Sequence, residues 1–167
     1  MRTSAIAATT LLTAAPLTAG CGNDAPVVAA PGVGTVEFVV DGDTIDVIVD
    51  GTEERVRLLG IDTPETHVDD GPPECYGPEA AAFTTSLLPV GTTVRLERDI
   101  VGRDDYGRLL AYVYRADDGL LVNEELLRQG YAQPLTIEPN GILADRFVAA
   151  AVAAEAAGVG LWAACAG

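Results

Sequence analysis

Four acidic residues in two short segments could bind a metal ion. The segment DGDT contains Asp41 and Asp43, and the segment IDTPE contains Asp62 and Glu65. Each segment follows an apolar, strand-like run, where a loop can gather oxygen atoms around one ion. Carboxylates and backbone carbonyls are the ligands that Ca²⁺ prefers. Alone, DGDT is better explained as a simple turn, because Asp and Gly are frequent turn residues.

Two arginines accompany these carboxylates. Arg57 lies five residues before Asp62, and Arg108 begins another apolar run in DDYGRLLAY. Arginine holds phosphate oxygens in bidentate pairs and stabilises developing negative charge. A carboxylate such as Glu65 can activate or orient water. Either arginine alone is explained as a solvated strand residue, but the whole set contains the components of a phosphoryl-transfer site.

The overall charge argues against a polyanionic substrate. The 167 residues carry a formal charge of −15, and all 10 basic residues are arginines. Nucleic-acid-binding domains are normally basic. The charges next to a bound phosphate, including a divalent cation, answer part of this objection. The net charge still opposes attraction over longer distances.

Hydrophobic patterns predict the elements that position these residues. In Thr44–Asp50, Ile45 alternates with Asp46, which is expected on the solvent side, and Asp50 and Gly51 form a hairpin turn. The order of three strands, a helix, two strands and two helices predicts an α+β fold, a five-stranded barrel of OB type with three helices. The predicted strands are 34–41, 44–50, 52–62, 92–99 and 108–116, and the helices are 77–88, 121–130 and 142–158.

The N-terminus has the features of an exported protein. Residues 1–20 contain one arginine, an apolar stretch and then small residues, which predicts a secretory signal peptide. The segment LTAGC resembles a bacterial lipobox, in which Cys21 becomes the lipidated N-terminus; ordinary cleavage near Ala19 is the alternative. Residues 21–33 predict a flexible tether, and 34–167 a single domain. We expect a protein lipid-anchored to the outer face of the cell membrane, or secreted.

Two further cysteines remain if Cys21 is lipidated. Cys75 precedes the first predicted helix, and Cys165 lies near the end of the chain. Exported proteins meet oxidising conditions, in which two such thiols usually pair. We therefore expect a disulfide between Cys75 and Cys165, with two free thiols as the alternative.

The sequence resembles the staphylococcal (micrococcal) nuclease, or thermonuclease, family from about Val36 to Trp162. The matching segments VVDGDTI, VRLLGIDTPE, YGPEAAAFT, DDYGRLLAYVY, LVNEELLRQGYA and GLW follow the family order and spacing. The resemblance implies an OB-type barrel with three helices. It also implies Ca²⁺-dependent hydrolysis of DNA and/or RNA to 3′-phosphate products. Independently of the resemblance, we expect a monomer that contacts the membrane only through its lipid anchor.

The resemblance also implies a metal site. Asp43 and Asp62 correspond to the Ca²⁺ carboxylates, and the backbone carbonyl of Thr63 corresponds to a further ligand. Asp41 resembles the nearby carboxylate of the outer shell. By this resemblance, the carboxylates cluster in these loops because they bind a cation.

Further residues correspond to the family's reaction and substrate contacts. Glu65 would activate or orient water, Arg57 and Arg108 would hold the reacting phosphate, and Tyr106 would contact a substrate phosphate. His67, the only histidine, is expected to be a loop residue that faces water, because Glu65 already fills the role of a base.

The sequence departs from the best-studied family member at the substrate surface. Asp105 replaces a lysine, and the region of two pocket tyrosines holds Thr136 and Ile137. Base stacking contributes about 1–3 kcal/mol per base, so weaker substrate binding is expected. The alternative function is a non-catalytic nuclease-like module that binds nucleic acid or protein. Retention of the complete set of arginines and carboxylates favours the enzyme.

Overall fold

The computed structural model describes residues 32–68 and 71–165. The predicted signal peptide, Cys21 and residues 21–31 of the predicted tether lie outside the described residues. The prediction that the tether extends to residue 33 is wrong, because residues 32 and 33 pair with Leu96 and Arg95 as part of the first barrel strand. Within the two described ranges, no helix has both the length and the apolar character needed to cross a membrane.

The described residues form seven strands and four helices. In chain order these are β1 (Gly32–Val39), β2 (Thr44–Val49), β3 (Thr52–Leu58), β4 (Ile61–Asp62), α1 (Gly77–Leu87), β5 (Thr93–Glu97), β6 (Leu109–Arg115), α2 (Val122–Arg128), β7 (Gln133–Pro134), α3 (Ala144–Ala157) and α4 (Leu161–Ala164).

Five of the strands close a barrel in the order β1, β2, β3, β6, β5. Neighbouring strands run antiparallel except β3 and β6, whose parallel pairing places Arg57 beside Leu110. The alternating apolar residues Ile45 and Val47 point into the barrel and are fully buried, as are Val56 and Val94. The separate strands β4 and β7 pair with each other, so Asp62 lies opposite Gln133.

Helices cover one end of the barrel and extend its core. Leu126 of α2 and Phe147 of α3 are almost completely buried in the same apolar cluster as the barrel residues. Asn123 joins α2 to the sheet, because its side-chain amide donates to Leu59 O at 2.8 Å and its oxygen accepts from Val113 N at 2.9 Å.

The predicted α+β barrel with three helices is confirmed, with α4 as an additional short helix. The predicted third strand is divided, because a turn at Leu59 and Gly60, where Gly60 has φ +78°, separates β3 from β4. The expected solvent exposure of Asp46 is wrong. Asp46 is only 6% exposed, because Arg55 of the neighbouring strand lies over its carboxylate and donates two hydrogen bonds to it, of 2.8 and 3.0 Å.

Candidate active site

The ends of β2 and β3 bring the predicted metal-binding segments together. Beyond the paired strands, Leu58 N donates to Asp43 O at 2.8 Å, which places Asp43 beside the turn after β3. The Asp43 carboxylate then accepts the backbone N–H of Thr63 at 2.9 Å. Asp41 caps the preceding loop by accepting Asp43 N at 3.0 Å. Three separate sequence positions therefore meet at one end of the barrel.

Gly42 allows this close approach. A Cβ atom at this position would lie only 2.6 Å from the Thr63 hydroxyl oxygen, so any larger residue would push the two segments apart. The Gly42 carbonyl also accepts a 2.6 Å hydrogen bond from Thr84 of α1. Sequence reasoning missed Thr84, because a helical threonine commonly bonds to its own helix, as Thr85 does with Ala81 O at 2.8 Å.

Arg57 connects the two predicted metal carboxylates. Its Nη1 donates to Leu58 O at 2.9 Å and to Ile61 O at 2.8 Å, inside the turn between β3 and β4. Its Nη2 lies 2.9 Å from Asp62 Oδ1 and 3.1 Å from Asp43 Oδ2. The Arg57 side chain is only 8% exposed. The guanidinium therefore links the carboxylates of Asp43 and Asp62 to the backbone of the turn between β3 and β4.

The carboxylates outnumber the cationic groups here, and the pKa values of Asp43 and Glu65 are raised. Burial raises the pKa of Asp43 to about 6, with Asp41 and Asp62 acting in the same direction, although Arg57 and the Thr63 N–H oppose the change. Burial also raises the pKa of Glu65, helped by the charges of Asp41 and Asp62. Four acidic groups thus influence one another around a single arginine, which favours the approach of a cation.

The donor set fits a hard divalent cation. Within residues 32–68 and 71–165, no three His, Cys, Asp or Glu side chains are grouped closely enough to hold an ion by themselves. Asp43 and Asp62 instead share Arg57. Two carboxylates with the carbonyl of Thr63 provide oxygen ligands of the kind that Ca²⁺ accepts together with water.

Arg108 forms the opposite side of the candidate site. It lies just before β6, and its Nε donates to Asp104 Oδ2 at 2.7 Å. Asp104 also accepts the backbone N–H groups of Tyr106 at 3.1 Å and Arg108 at 2.9 Å, which fixes the intervening turn. Burial acts to raise the pKa of Asp104, but the bonds from Arg108 hold it below its ordinary value. Tyr106 projects from this turn and is 87% exposed.

An open depression connects the two sides. Its volume is about 320 Å³, and its lining includes Asp41 from the acidic side and Tyr106 and Arg108 from the other. Arg55 lines this depression and a neighbouring one of about 310 Å³. Sequence reasoning did not predict that Arg55 lines the site, because its place in the alternating strand pattern is the same as that of any surface residue.

Glu65 is exposed and lies close enough to Asp41, Asp62 and Arg57 for their charges to act on its pKa. Glu74 closes the loop that follows Glu65, since Glu65 N donates to Glu74 Oε2 at 3.0 Å and Glu74 N donates to Glu65 O at 3.0 Å. His67 is exposed, and its ring Nδ1 lies 3.0 Å from the hydroxyl of the neighbouring Thr66. Cys75, which follows Glu74 in the chain, forms a disulfide with Cys165.

The region that corresponds to the family's pocket tyrosines holds Thr136 and Ile137, which carry no aromatic ring. Thr136 is exposed, whereas Ile137 is half-buried and packs against the core. Phe147 is 1% exposed, which assigns it to the core. Tyr106 is therefore the aromatic side chain that borders the depressions described above.

Comparison with known proteins identifies the family. A sequence model described as "Staphylococcal nuclease homologue" matches residues 55–164, a range that contains Arg57, Asp62, Glu65 and Arg108 but begins after Asp43. The chain is 45% identical to the "Thermonuclease" of Staphylococcus intermedius over 105 residues, which are 63% of this chain and 61% of that protein. It is 39% identical to the "Thermonuclease" of Staphylococcus hyicus over 124 residues, 74% of this chain and 72% of that protein.

A relative from another genus extends the comparison. The chain is 43% identical to "Endonuclease YncB" of Bacillus subtilis (strain 168) over 115 residues, which are 68% of this chain and 53% of that protein. The chain thus spans less than two thirds of the Staphylococcus intermedius and Bacillus subtilis relatives. The family match covers more than half of the chain and includes β5, β6, part of β3 and all four helices, so the chain belongs to the staphylococcal nuclease homologue family.

Proposed function

We propose that this domain is a Ca²⁺-dependent endonuclease that hydrolyses phosphodiester bonds in DNA and/or RNA and leaves 3′-phosphate products. The observation that carries the proposal is the Arg57 guanidinium held between Asp43 and Asp62, at 3.1 and 2.9 Å. Similarity to thermonucleases and an endonuclease supports the same reaction class.

The residues of the site suggest a division of tasks. Asp43, Asp62 and the Thr63 carbonyl would hold the ion, with Asp41 in its outer shell. Ca²⁺, when bound, would neutralise part of the charge of the phosphate. Because hard oxygen ligands favour Ca²⁺ and Mg²⁺ demands stricter octahedral geometry, we expect Mg²⁺ to support less activity.

The chemical step would use groups on both sides of the depression. Arg57 and Arg108 would donate hydrogen bonds to the phosphate oxygens and stabilise their developing charge. Glu65 would orient a water molecule and accept its proton while the water oxygen bonds to phosphorus. Breaking the bond between phosphorus and the 5′-oxygen leaves the phosphate on the 3′ side, and the released 5′-oxygen would take up a proton from solvent to become a hydroxyl. Tyr106 would contact a neighbouring substrate phosphate.

Digestion of single- and double-stranded DNA and RNA tests this proposal. The protein without residues 1–20 should cleave with Ca²⁺, lose activity in chelator and recover when Ca²⁺ is restored. Phosphatase treatment should be required before a polymerase can extend the products, which would identify 3′-phosphates. Glu65→Gln should be inactive, whereas Glu79→Gln, at an exposed position of α1, should match the wild type. Full cleavage in chelator would refute the metal assignment.

A non-catalytic binding module is the second candidate, and the formal charge of −15 is the observation that favours it. Such a module would retain nucleic acid or protein without cleaving any of the four substrates. The same digestion, paired with a binding measurement, therefore separates the two functions.

The proposed location is outside the cell. We infer that residues 1–20 are removed and that Cys21 carries a lipid. Residues 21–31 would form a tether to a monomeric domain whose first strand begins at Gly32. Secretion without a lipid is the alternative. Cys21→Ser should release the protein from membranes into the medium. Intact-mass measurement of the mature N-terminus would distinguish lipidation from ordinary cleavage near Ala19.

A further inference from the structure

The Glu65 backbone is fixed by one residue located nine positions further along the chain. Glu65 N donates to the Glu74 carboxylate at 3.0 Å, and Glu74 N donates back to Glu65 O at 3.0 Å. These bonds close the loop between the two residues. The position of the Glu65 backbone therefore depends on where Glu74 is held.

A disulfide holds the segment that contains Glu74. Cys75 is joined to Cys165 with a Cα–Cα distance of 6.0 Å and a sequence separation of 90 residues. Cys165 follows α4, and the first residue of that helix, Leu161, donates its N–H to Gly130 O at 2.8 Å. The segment that contains Glu74 is thus tied, through the disulfide and α4, to the residues that follow α2.

A second contact fixes the same segment. Tyr76 follows Cys75 and has φ +74°, a left-handed conformation that is uncommon for a residue with a side chain. Its ring stacks on Tyr131 at a centroid distance of 5.2 Å, and Tyr131 stacks on Phe83 at 4.1 Å. The disulfide and the ring stack therefore hold the two residues that follow Glu74.

We infer that Glu74 is a positioning residue for Glu65, and that the Cys75–Cys165 disulfide keeps Glu74 in place. This inference rests on the proposed function, in which Glu65 acts on water. The arginines are held by other contacts, Arg57 by the β3–β4 turn and Arg108 by Asp104. Loss of Glu74 or of the disulfide should therefore lower kcat and leave KM for nucleic acid nearly unchanged.

Two variants at Glu74 separate positioning from a merely structural role. Glu74→Gln keeps a carbonyl oxygen that accepts the Glu65 N–H, whereas Glu74→Ala removes the acceptor. Misplacement of a catalytic group by about 1 Å can lower the rate about 10²-fold, so we expect Glu74→Ala to lower kcat by about 10- to 10²-fold. Glu74→Gln should restore most of it, and Glu79→Ala is the matched control on α1.

The disulfide is tested by the double variant Cys75→Ser/Cys165→Ser and by a dithiol. Cys75 is exposed, so a dithiol can reach it. The dithiol would give two electrons and two protons to the S–S bond, leaving two cysteine thiols and becoming a disulfide itself. Both treatments should lower kcat at a temperature where circular dichroism shows a folded protein. Adding Glu74→Ala to the serine variant should then have less than its separate effect.

The outcomes are distinguishable from failure of the proposed function. A fully active Glu65→Gln would refute the role of Glu65 itself. If Glu65→Gln is inactive but Glu74→Ala keeps wild-type kcat, or if Glu74→Gln falls as far as Glu74→Ala, the positioning role is wrong. If the serine double variant loses only melting temperature, the disulfide has no part in positioning Glu65.

Discussion

The two arginines of the candidate site occupy different environments. The side chain of Arg57 is 8% exposed and touches two backbone carbonyls and two carboxylates. The side chain of Arg108 is 30% exposed, and within the described residues its ion-pair partner is Asp104. The site thus has a buried side that is continuous with the core and an exposed side supported by a turn.

The difference indicates which arginine also stabilises the fold. Removing one partner of a buried ion pair leaves an uncompensated charge, which costs about 3–5 kcal/mol. Ion pairs near the surface contribute about 0–1 kcal/mol. We therefore expect Arg57 to be required for folding stability as well as for the proposed reaction, whereas Arg108 should be required mainly for the reaction.

The largest expected effect follows from Arg57→Ala. Because Asp43 is buried and loses its ion-pair partner, the free energy of unfolding should fall by about 3–5 kcal/mol, and turnover should be lost. Urea unfolding followed by circular dichroism measures the change. Arg128→Ala, at an exposed position of α2 whose nearest carboxylate is 3.9 Å away, is the control. A loss below about 1 kcal/mol would show that Arg57 is not part of the folded framework.

Arg108→Ala should separate activity from stability. Removing one charge-stabilising donor raises the activation barrier by about 2.7–4 kcal/mol, so turnover should fall about 10²–10³-fold. The free energy of unfolding should change by about 1 kcal/mol or less. Turnover and urea unfolding measured on the same preparation test both expectations. A stability loss equal to that of Arg57→Ala would remove the distinction between the two sides.

The sequence predicted the barrel but not this division. Alternating apolar residues and the Asp50–Gly51 turn are local signals, and they predicted β2 and the start of β3 correctly, although they did not predict the division of the third strand after Leu58. Arg55 and Arg57 share the same alternation in RVRL, yet their side chains are 54% and 8% exposed. Only Arg57 lies where the chain turns back after β3 and covers the guanidinium. Burial of this kind depends on tertiary packing, which a single sequence does not specify.

The supporting contacts were hidden for the same reason. Thr84 and Thr85 are consecutive residues of α1, but only Thr84 faces Gly42 O. Glu74 has no motif that connects it with Glu65, because the loop between them sets their contact. Sequence patterns and the family resemblance predicted which residues react, and the structure adds the residues that hold them.

Thr84→Val tests the support of the buried side. The substitution keeps the side-chain shape but leaves the Gly42 carbonyl without the 2.6 Å hydrogen bond, and an unsatisfied buried acceptor costs about 1–3 kcal/mol. Urea unfolding should show this loss. Thr85→Val is the matched control, because Thr85 is exposed and such surface changes usually stay within about 0.5 kcal/mol. Equal effects of the two variants would contradict the proposed support.

Arg103→Ala tests the support of the exposed side and should have the smallest effect. Arg103 forms a bidentate pair with Glu54, at 2.9 and 2.8 Å, and donates to Gly107 O at 2.7 Å, next to Arg108. Its side chain is 48% exposed, so the free energy of unfolding should fall by only about 0.2–1 kcal/mol. High salt should reduce the difference between variant and wild type, because exposed charges are screened.

The pH dependence of this difference identifies its origin. The hydrogen bond from Arg103 lowers the pKa of Glu54 below its ordinary value of 4.5. The contribution should therefore be complete above that ordinary value and should disappear as pH falls through the lower pKa of the folded state. Urea unfolding of wild type and Arg103→Ala at neutral and acidic pH measures it. A difference that persists after Glu54 is protonated would assign the effect to the Gly107 contact instead of the ion pair.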